Sequence, residues 1–383
     1  MQDRDPEELF LWVVDDEKIS RRTLLRRGLA TGVGLTILSS PLDAFARGSK
    51  SPPLRGQAIS LKELVAEAKK EGHLNTIALP PDWANYGEIM STFQKKYKIG
   101  ITNDNPDGSS AQENQAVRSL KGDPRAPDVL DVSPSFAAAG ANEGLYAKYF
   151  TTKFKTVPRA MKDTRGFWVG DYWGVISVGV NQNIVRNVPK SFKDLLKPEY
   201  KNQVALNGSP LTSGSALANG GSLSNIGPGI DFFGSLKKAG NFIPVQANAQ
   251  TVASGQTPIV IDWDYLNLAY GKEFPAVRWT TVIPSDGVYG AFYCQAINAS
   301  APHPFAARLW QEFLYSDAGQ LLWLKGYSHP ALFQDLASRK KIPSALLKAL
   351  PAPSLYAKVK FANAGQTAKA KERINADWAK ATG

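Results

Sequence analysis

Cysteine is nearly absent from this chain: there is one, Cys294, in 383 residues. A single cysteine excludes any intramolecular disulfide. Histidine is almost as scarce, and His73, His303 and His329 stand far apart, so no metal centre is expected. Beyond the N-terminal segment no charge-free apolar run reaches about 18 residues, which leaves no candidate membrane span there. No G-x-S-x-G elbow occurs and no nucleophile–base pair stands out, so no catalytic residue is named and no cofactor is expected. Arginine-rich blocks interleaved with aromatics are missing too. The net charge of +11 sits instead in pairs such as Lys69-Lys70, Lys95-Lys96 and Lys237-Lys238, which read as solvated helix faces, not as a nucleic-acid surface.

What is present begins with an address. Ser20-Arg21-Arg22-Thr23-Leu24-Leu25 and Arg26-Arg27 precede a modest apolar run, which ends at Ala44-Phe45-Ala46. A basic region, an apolar region and an A-x-A site in that order describe an export signal over residues 1–46, cut after Ala46. The paired arginines followed by two leucines resemble a bacterial twin-arginine signal. Gly32-Val33-Gly34 lies inside this segment with no strand before it, so it is not a nucleotide loop.

From residue 61 the pattern alternates between helix and strand. Leu61, Leu64, Val65 and Ala68 share a helical face that Gly72 would cap; Leu74–Leu79 reads as a strand stopped by Pro80-Pro81; a helix follows from Gly87 to Lys96. A strand at Ile99–Ile101, a loop at 103–110 and a strand at 127–132 continue the series. Such alternation predicts an α/β fold whose loops gather at the carboxyl ends of the strands. The long β-rich run around 171–180 and a second run from Val282 to Asn298 read as two crossings between lobes. The expected division is lobe 1 over 47–176, lobe 2 over 177–280, and a return to lobe 1 with C-terminal helices over 281–383.

Pro258–Asn267, PIVIDWDYLN, ends an apolar strand in two acids that flank a tryptophan. Alternation would put Asp262 and Asp264 on the side opposite Trp263. Two acids in a cleft would suit an ammonium, and a tryptophan face a flat or cationic group. Thr212-Ser213-Gly214-Ser215, read as leading into a helix that begins at Ala216, would offer hydroxyls and backbone N–H groups to an anion.

The order of LVAEAKKEGHL, PPDWANYGEIMSTFQKKY, PDVLDVSPSF, VPKSFKDLLKPEYKNQVAL, GVYGAFYCQAIN and AARLWQEFLYSDAGQLLW resembles the extracellular solute-binding proteins of bacterial ABC importers. It is most similar to the group with ferric iron, polyamine, thiamine and phosphonate receptors. The resemblance implies a two-lobe type II periplasmic-binding-protein fold with two interlobe crossover strands, closing on a small-molecule solute. It also implies a periplasmic monomer whose partners are an inner-membrane permease and ATPase. Carried over, the cleft is lined by Asp82, Trp83 and Tyr86; Asp107 and Ser109; Ser133 and Ser135; Ser213, Gly214 and Ser215; and Asp262, Trp263 and Asp264. Tyr172, Trp173, Tyr289 and Tyr293 on the crossings would wall it. Ferric-binding members place adjacent tyrosines where this chain has Trp263-Asp264-Tyr265. Polyamine receptors place an acid in the second crossover, where this chain has Ala291-Phe292-Tyr293. The expectation is therefore a small polar, zwitterionic solute such as an aminophosphonate or an amino-acid-like compound. An exported enzyme and an extracytoplasmic sensor domain on the same fold are the alternatives.

Overall fold

The computed structural model describes residues 59–207 and 212–383. The expected export signal, with its twin-arginine motif, lies outside the described residues. The first described helix, Leu61–Glu71, forms where its signals say it should. Ser60 and Glu63 make a reciprocal capping box, and Gly72 closes the helix at φ 69°, a left-handed conformation that glycine adopts at no steric cost. Leu64 and Ala68 are buried, whereas Leu61 at the same stripe's edge is 52% exposed. The stripe packs on the helix Pro304–Leu314, whose Ala307, Trp310 and Phe313 are buried.

Two sheets organise the chain. β1 (His73–Ile77) and β2 (Gly100–Asp104) pair in parallel. The larger sheet is mixed and turns on β5 (Trp168–Asn181), a 14-residue strand buried along most of its length. The first part of β5 pairs antiparallel with β10 (Tyr289–Asn298), which in turn carries β3 (Val129–Val132) and β4 (Tyr146–Ala147). β11 (His329–Pro330) pairs with the same part of β5, at Tyr172 and Trp173. The later part of β5 pairs with β8 (Ile259–Trp263) and β9 (Trp279–Val282). β8 continues in parallel to β6 (Val204–Leu206), and β6 to β7 (Phe242–Gln246). β12 (Lys360–Phe361) pairs in parallel with the start of β10.

One strand thus serves two cores. The first gathers Leu64, Leu74, Ile89, Phe93, Val129, Leu130, Trp310 and Trp323; the second gathers Ile176, Val178, Val180, Phe192, Leu195, Phe232, Phe233 and Leu236. Each fully buried large apolar side chain contributes about 1.5–3 kcal/mol relative to exposure. The C-terminal helix Ala364–Thr382 does not stay with the first core. Its Trp378 is packed in the second, on the Phe233 ring at 5.1 Å. Its Lys371 ammonium meanwhile lies 4.7 Å from the ring centre of Phe136, on the helix Pro134–Asn142 of the first core.

Candidate solute site

The sequence put Asp262 and Asp264 side by side; the structure separates them. β8 ends at Trp263, and Asp264 opens the helix Asp264–Glu273, so strand alternation stops one residue too soon to align the two acids. Asp264 Oδ1 accepts the Val175 amide at 2.9 Å and Oδ2 accepts the Tyr356 hydroxyl at 2.8 Å. Both of its oxygens are used internally, so Asp264 is a brace on β5 and not a solute ligand. Asp262 Oδ1 accepts its neighbour's Trp263 amide at 2.7 Å and the side-chain amide of Asn207. Its Oδ2 is buried with no hydrogen-bond partner among the described residues. Burial raises both carboxyls to about 7.

An aromatic cluster lies where the two cores meet. Trp83, half-buried, meets Tyr265 edge-on at 5.7 Å and Tyr293 at 6.2 Å, and donates its indole N–H to the Tyr172 hydroxyl at 2.7 Å. Tyr265 lies parallel to Trp263 at 6.3 Å, and Tyr172 stacks on Tyr293 at 5.7 Å. Such pairs favour edge-to-face and offset geometries that rigidify a wall. Trp83, Trp263, Tyr172 and Tyr293 are therefore brought together as the sequence expected. Tyr265, which the sequence reading named but left out of the site, sits at their centre.

Behind this wall is a polar core with no local signature in the sequence. Tyr86 is fully buried and donates to Asp131 Oδ2 at 2.6 Å; Gln295 donates to the Tyr86 hydroxyl and to Asp171 Oδ2. Burial pushes Asp171 to about 6, and burial together with the nearby Asp171 charge raises Asp131 well above the usual carboxylate range. Tyr86 thus supports the wall from behind and has no open face for a solute, a correction to the sequence reading.

Other residues fall elsewhere. Trp173 points away from its neighbour Tyr172 and stacks on His329 at 4.1 Å, beside Tyr356 and Phe361. Ser109 caps the helix Ser110–Ser119 through a capping box with Gln112, so its hydroxyl is already engaged. Thr212–Ser215 do not precede a helix: they are its first four residues, in Thr212–Ala218. Ser215 is buried and bonded to the Thr212 carbonyl, and a Cβ on Gly214 would press on the Phe192 ring at 2.9 Å. Ser215 and Gly214 therefore serve packing, while Ser213 remains half-buried and meets the Tyr289 hydroxyl. Asp82 and Asp107 are exposed, and Ser133 and Ser135 lie half-buried at the start of Pro134–Asn142. Asn207 was missed, although its place directly after the Val-Ala-Leu strand was a usable signal. Cys294 is buried, and burial raises its thiol well above the usual range, as an inert cysteine requires.

The groups assembled here, a flat aromatic wall, one buried carboxylate oxygen and scattered hydroxyls, can hold a small polar solute; among the described residues no His/Cys/Asp/Glu group could hold a metal ion. No match to a curated protein sequence was found. Solved structures with this fold include an ABC transporter substrate-binding protein from Bradyrhizobium japonicum, 17% identical, TM-score 0.67, covering 82% of this chain and 100% of its own. The periplasmic binding protein AfuA from Actinobacillus pleuropneumoniae, with fructose-6-phosphate bound, is 17% identical, TM-score 0.63, over 81% of this chain and 98% of its own. AgtB from A. tumefaciens R10, in complex with agropinic acid, is 16% identical, TM-score 0.64, over 81% and 98%. The family model of bacterial extracellular solute-binding proteins matches residues 125–348, more than half of the sequence. The chain belongs to the bacterial extracellular solute-binding protein family.

Proposed function

We propose that this solute-binding protein captures a small polar organic solute between its two cores and delivers it to an ABC importer in the inner membrane. The two cores act as lobes that hinge on β5 and β10, with lobe 1 over 47–176, lobe 2 over 177–280 and the return over 281–383. Export by the twin-arginine route would place the protein in the periplasm as a monomer. The observation that carries this reading is Trp263, at the carboxyl end of β8, which packs against both cores and lies parallel to Tyr265, itself in edge-on contact with Trp83. A ring shared by the two sides stands where hinge-closing receptors hold their ligand. The relatives bound to fructose-6-phosphate and agropinic acid support a polar organic solute. Trp83, Trp263, Tyr172 and Tyr293 form the wall, Asp262 the acid, and Ser213 with Tyr289 a hydroxyl pair; Asp82, Asp107, Ser133 and Ser135 lie at the rim.

The test is the melting temperature of the purified protein against aminophosphonates, amino acids, polyamines, thiamine, ferric citrate, sugars and sugar phosphates. A solute at 100 times its dissociation constant adds about 2.7 kcal/mol, a readily measured upward shift. A shift with one chemical class supports the reading. Turnover of a solute without a membrane partner would favour an exported enzyme instead, and no shift with any class would sink the receptor assignment.

A further inference from the structure

Asp262 is fully buried, and its Oδ2 has no hydrogen-bond partner among the described residues. Buried carboxylates are ordinarily paired with a cation or saturated with hydrogen bonds, because an unpaired charge in a low-dielectric interior is costly. The groups packed around Asp262 offer no such partner. Ser177 of β5 donates its hydroxyl to the Asp262 carbonyl, not to the carboxylate, and the side-chain amide of Asn207 at the end of β6 donates to Oδ1. From the helix Asp264–Glu273, Tyr265 and Tyr270 are the titratable groups that feel its charge; Tyr293 of β10 is the third, and Asp82 acts on Tyr270 from the far side. None of these is a cation, and among the described residues no lysine, arginine or histidine acts on the Asp262 carboxyl. The residue stands at the carboxyl end of β8, alongside the end of parallel β6, beside the Trp263–Tyr265 pair. Ligands of open α/β sheets are held at the carboxyl ends of such strands.

We infer that Asp262 is the anionic pole of the solute site, and that its unpartnered Oδ2 receives a cationic nitrogen, so the solute is an organic amine. The inference rests on the receptor reading and narrows it. Without solute the carboxyl holds its proton below about pH 7, since burial raises it to about 7. When the ammonium arrives the carboxylate becomes the favoured form, and the proton passes to bulk water. Trp83, Trp263, Tyr265 and Tyr293 supply ring faces and edges suited to the nitrogen's alkyl surroundings. The chain therefore supplies the acid and the aromatics, and the solute supplies the missing charge.

The experiment uses the full chain and matched probes at pH 7.5: 4-aminobutyrate against butyrate, β-alanine against propionate, and 2-aminoethylphosphonate against ethylphosphonate. In at least one pair the amine binds more than tenfold tighter than its amine-free partner. Titration calorimetry at pH 6 in buffers of different ionisation enthalpy then shows up to about one proton released per solute bound, because a group with its midpoint near 7 is largely protonated there. Asp262→Asn abolishes both the amine preference and the proton release without lowering the melting temperature of the solute-free protein, and Asp262→Glu retains the preference. Equal binding within every pair, absence of proton release, or an Asp262→Asn protein that keeps the preference overturns the inference. If only neutral or purely anionic solutes bind, Asp262 is not the pole although the receptor reading stands; if no solute of any class binds, both fall.

Discussion

Asp264 receives the Val175 amide on one oxygen and the Tyr356 hydroxyl on the other, and all three groups are buried. Removing the carboxylate would strand two buried donors, each costing about 1–3 kcal/mol. Asp264→Ala should therefore destabilise the protein by about 3 kcal/mol in urea unfolding. Asp264→Asn should cost much less, because Asn retains an acceptor for Val175 and the Tyr356 hydroxyl can turn to accept. Trp83 gives the contrasting case: it is half-buried and its ring faces the cluster, so Trp83→Ala should weaken solute binding by 10-fold or more (about 1.4 kcal/mol per decade) with little loss of stability. Both outcomes are read by pairing denaturant curves with binding titrations.

At the level of elements, what the sequence disclosed depended on whether the signal was local. The bounds of the helix Leu61–Glu71 were legible, because its stripe lies within it and its caps, Ser60 and Gly72, lie directly beside it; the exposure of Leu61 was not. The helix that starts at Thr212 was placed four residues late, since small polar residues read equally well as a loop until packing decides. Tyr172 and Trp173 show a different limit. Alternation along β5 dictates that they face opposite ways, but only the partners brought in by β10 and β11 reveal which ring joins the site. The Asp131–Asp171 pair, from strands 40 residues apart, had no local signal at all. The helix Ala364–Thr382 makes a sharp prediction. Trp378 is 7% exposed in the second core, and Trp-to-Ala changes in cores cost about 3–5 kcal/mol. Trp378→Ala should show a loss of that order in urea, while Lys371→Ala, whose ammonium lies over the Phe136 ring, should cost less than about 1 kcal/mol.

For the whole molecule, the buried acids set a direction of pH dependence. Asp171 is raised to about 6 and Asp262 and Asp264 to about 7, all chiefly by burial. In the unfolded chain these groups ionise near 4, so between about 4 and 7 the folded state holds more protons and stability falls as pH rises. His329 opposes this, since burial lowers it to about 4 and the unfolded chain alone takes up its proton below about 6.5. Three acids outweigh one imidazole. The solute-free protein should melt at a higher temperature at pH 5.5 than at pH 7.5, and a calorimetric scan at the two values checks it. Asp262→Asn should narrow the gap. The two cores were foreseen in outline, because alternation of helix and strand is written along the whole sequence. Their sharing of Trp263 and of the C-terminal helix was not, because both depend on contacts between distant parts of the chain.

The bond from Tyr356 to Asp264 spans 92 positions, and Trp378 enters a core whose other members were laid down as early as Ile176. During synthesis the second core lacks its last aromatic, and the brace on β5 its hydroxyl, until the chain is almost finished. Contacts this distant close late, so folding should be slow relative to proteins of mainly local contacts. A nascent chain cut anywhere before residue 356 should remain open to proteases, however complete its first core.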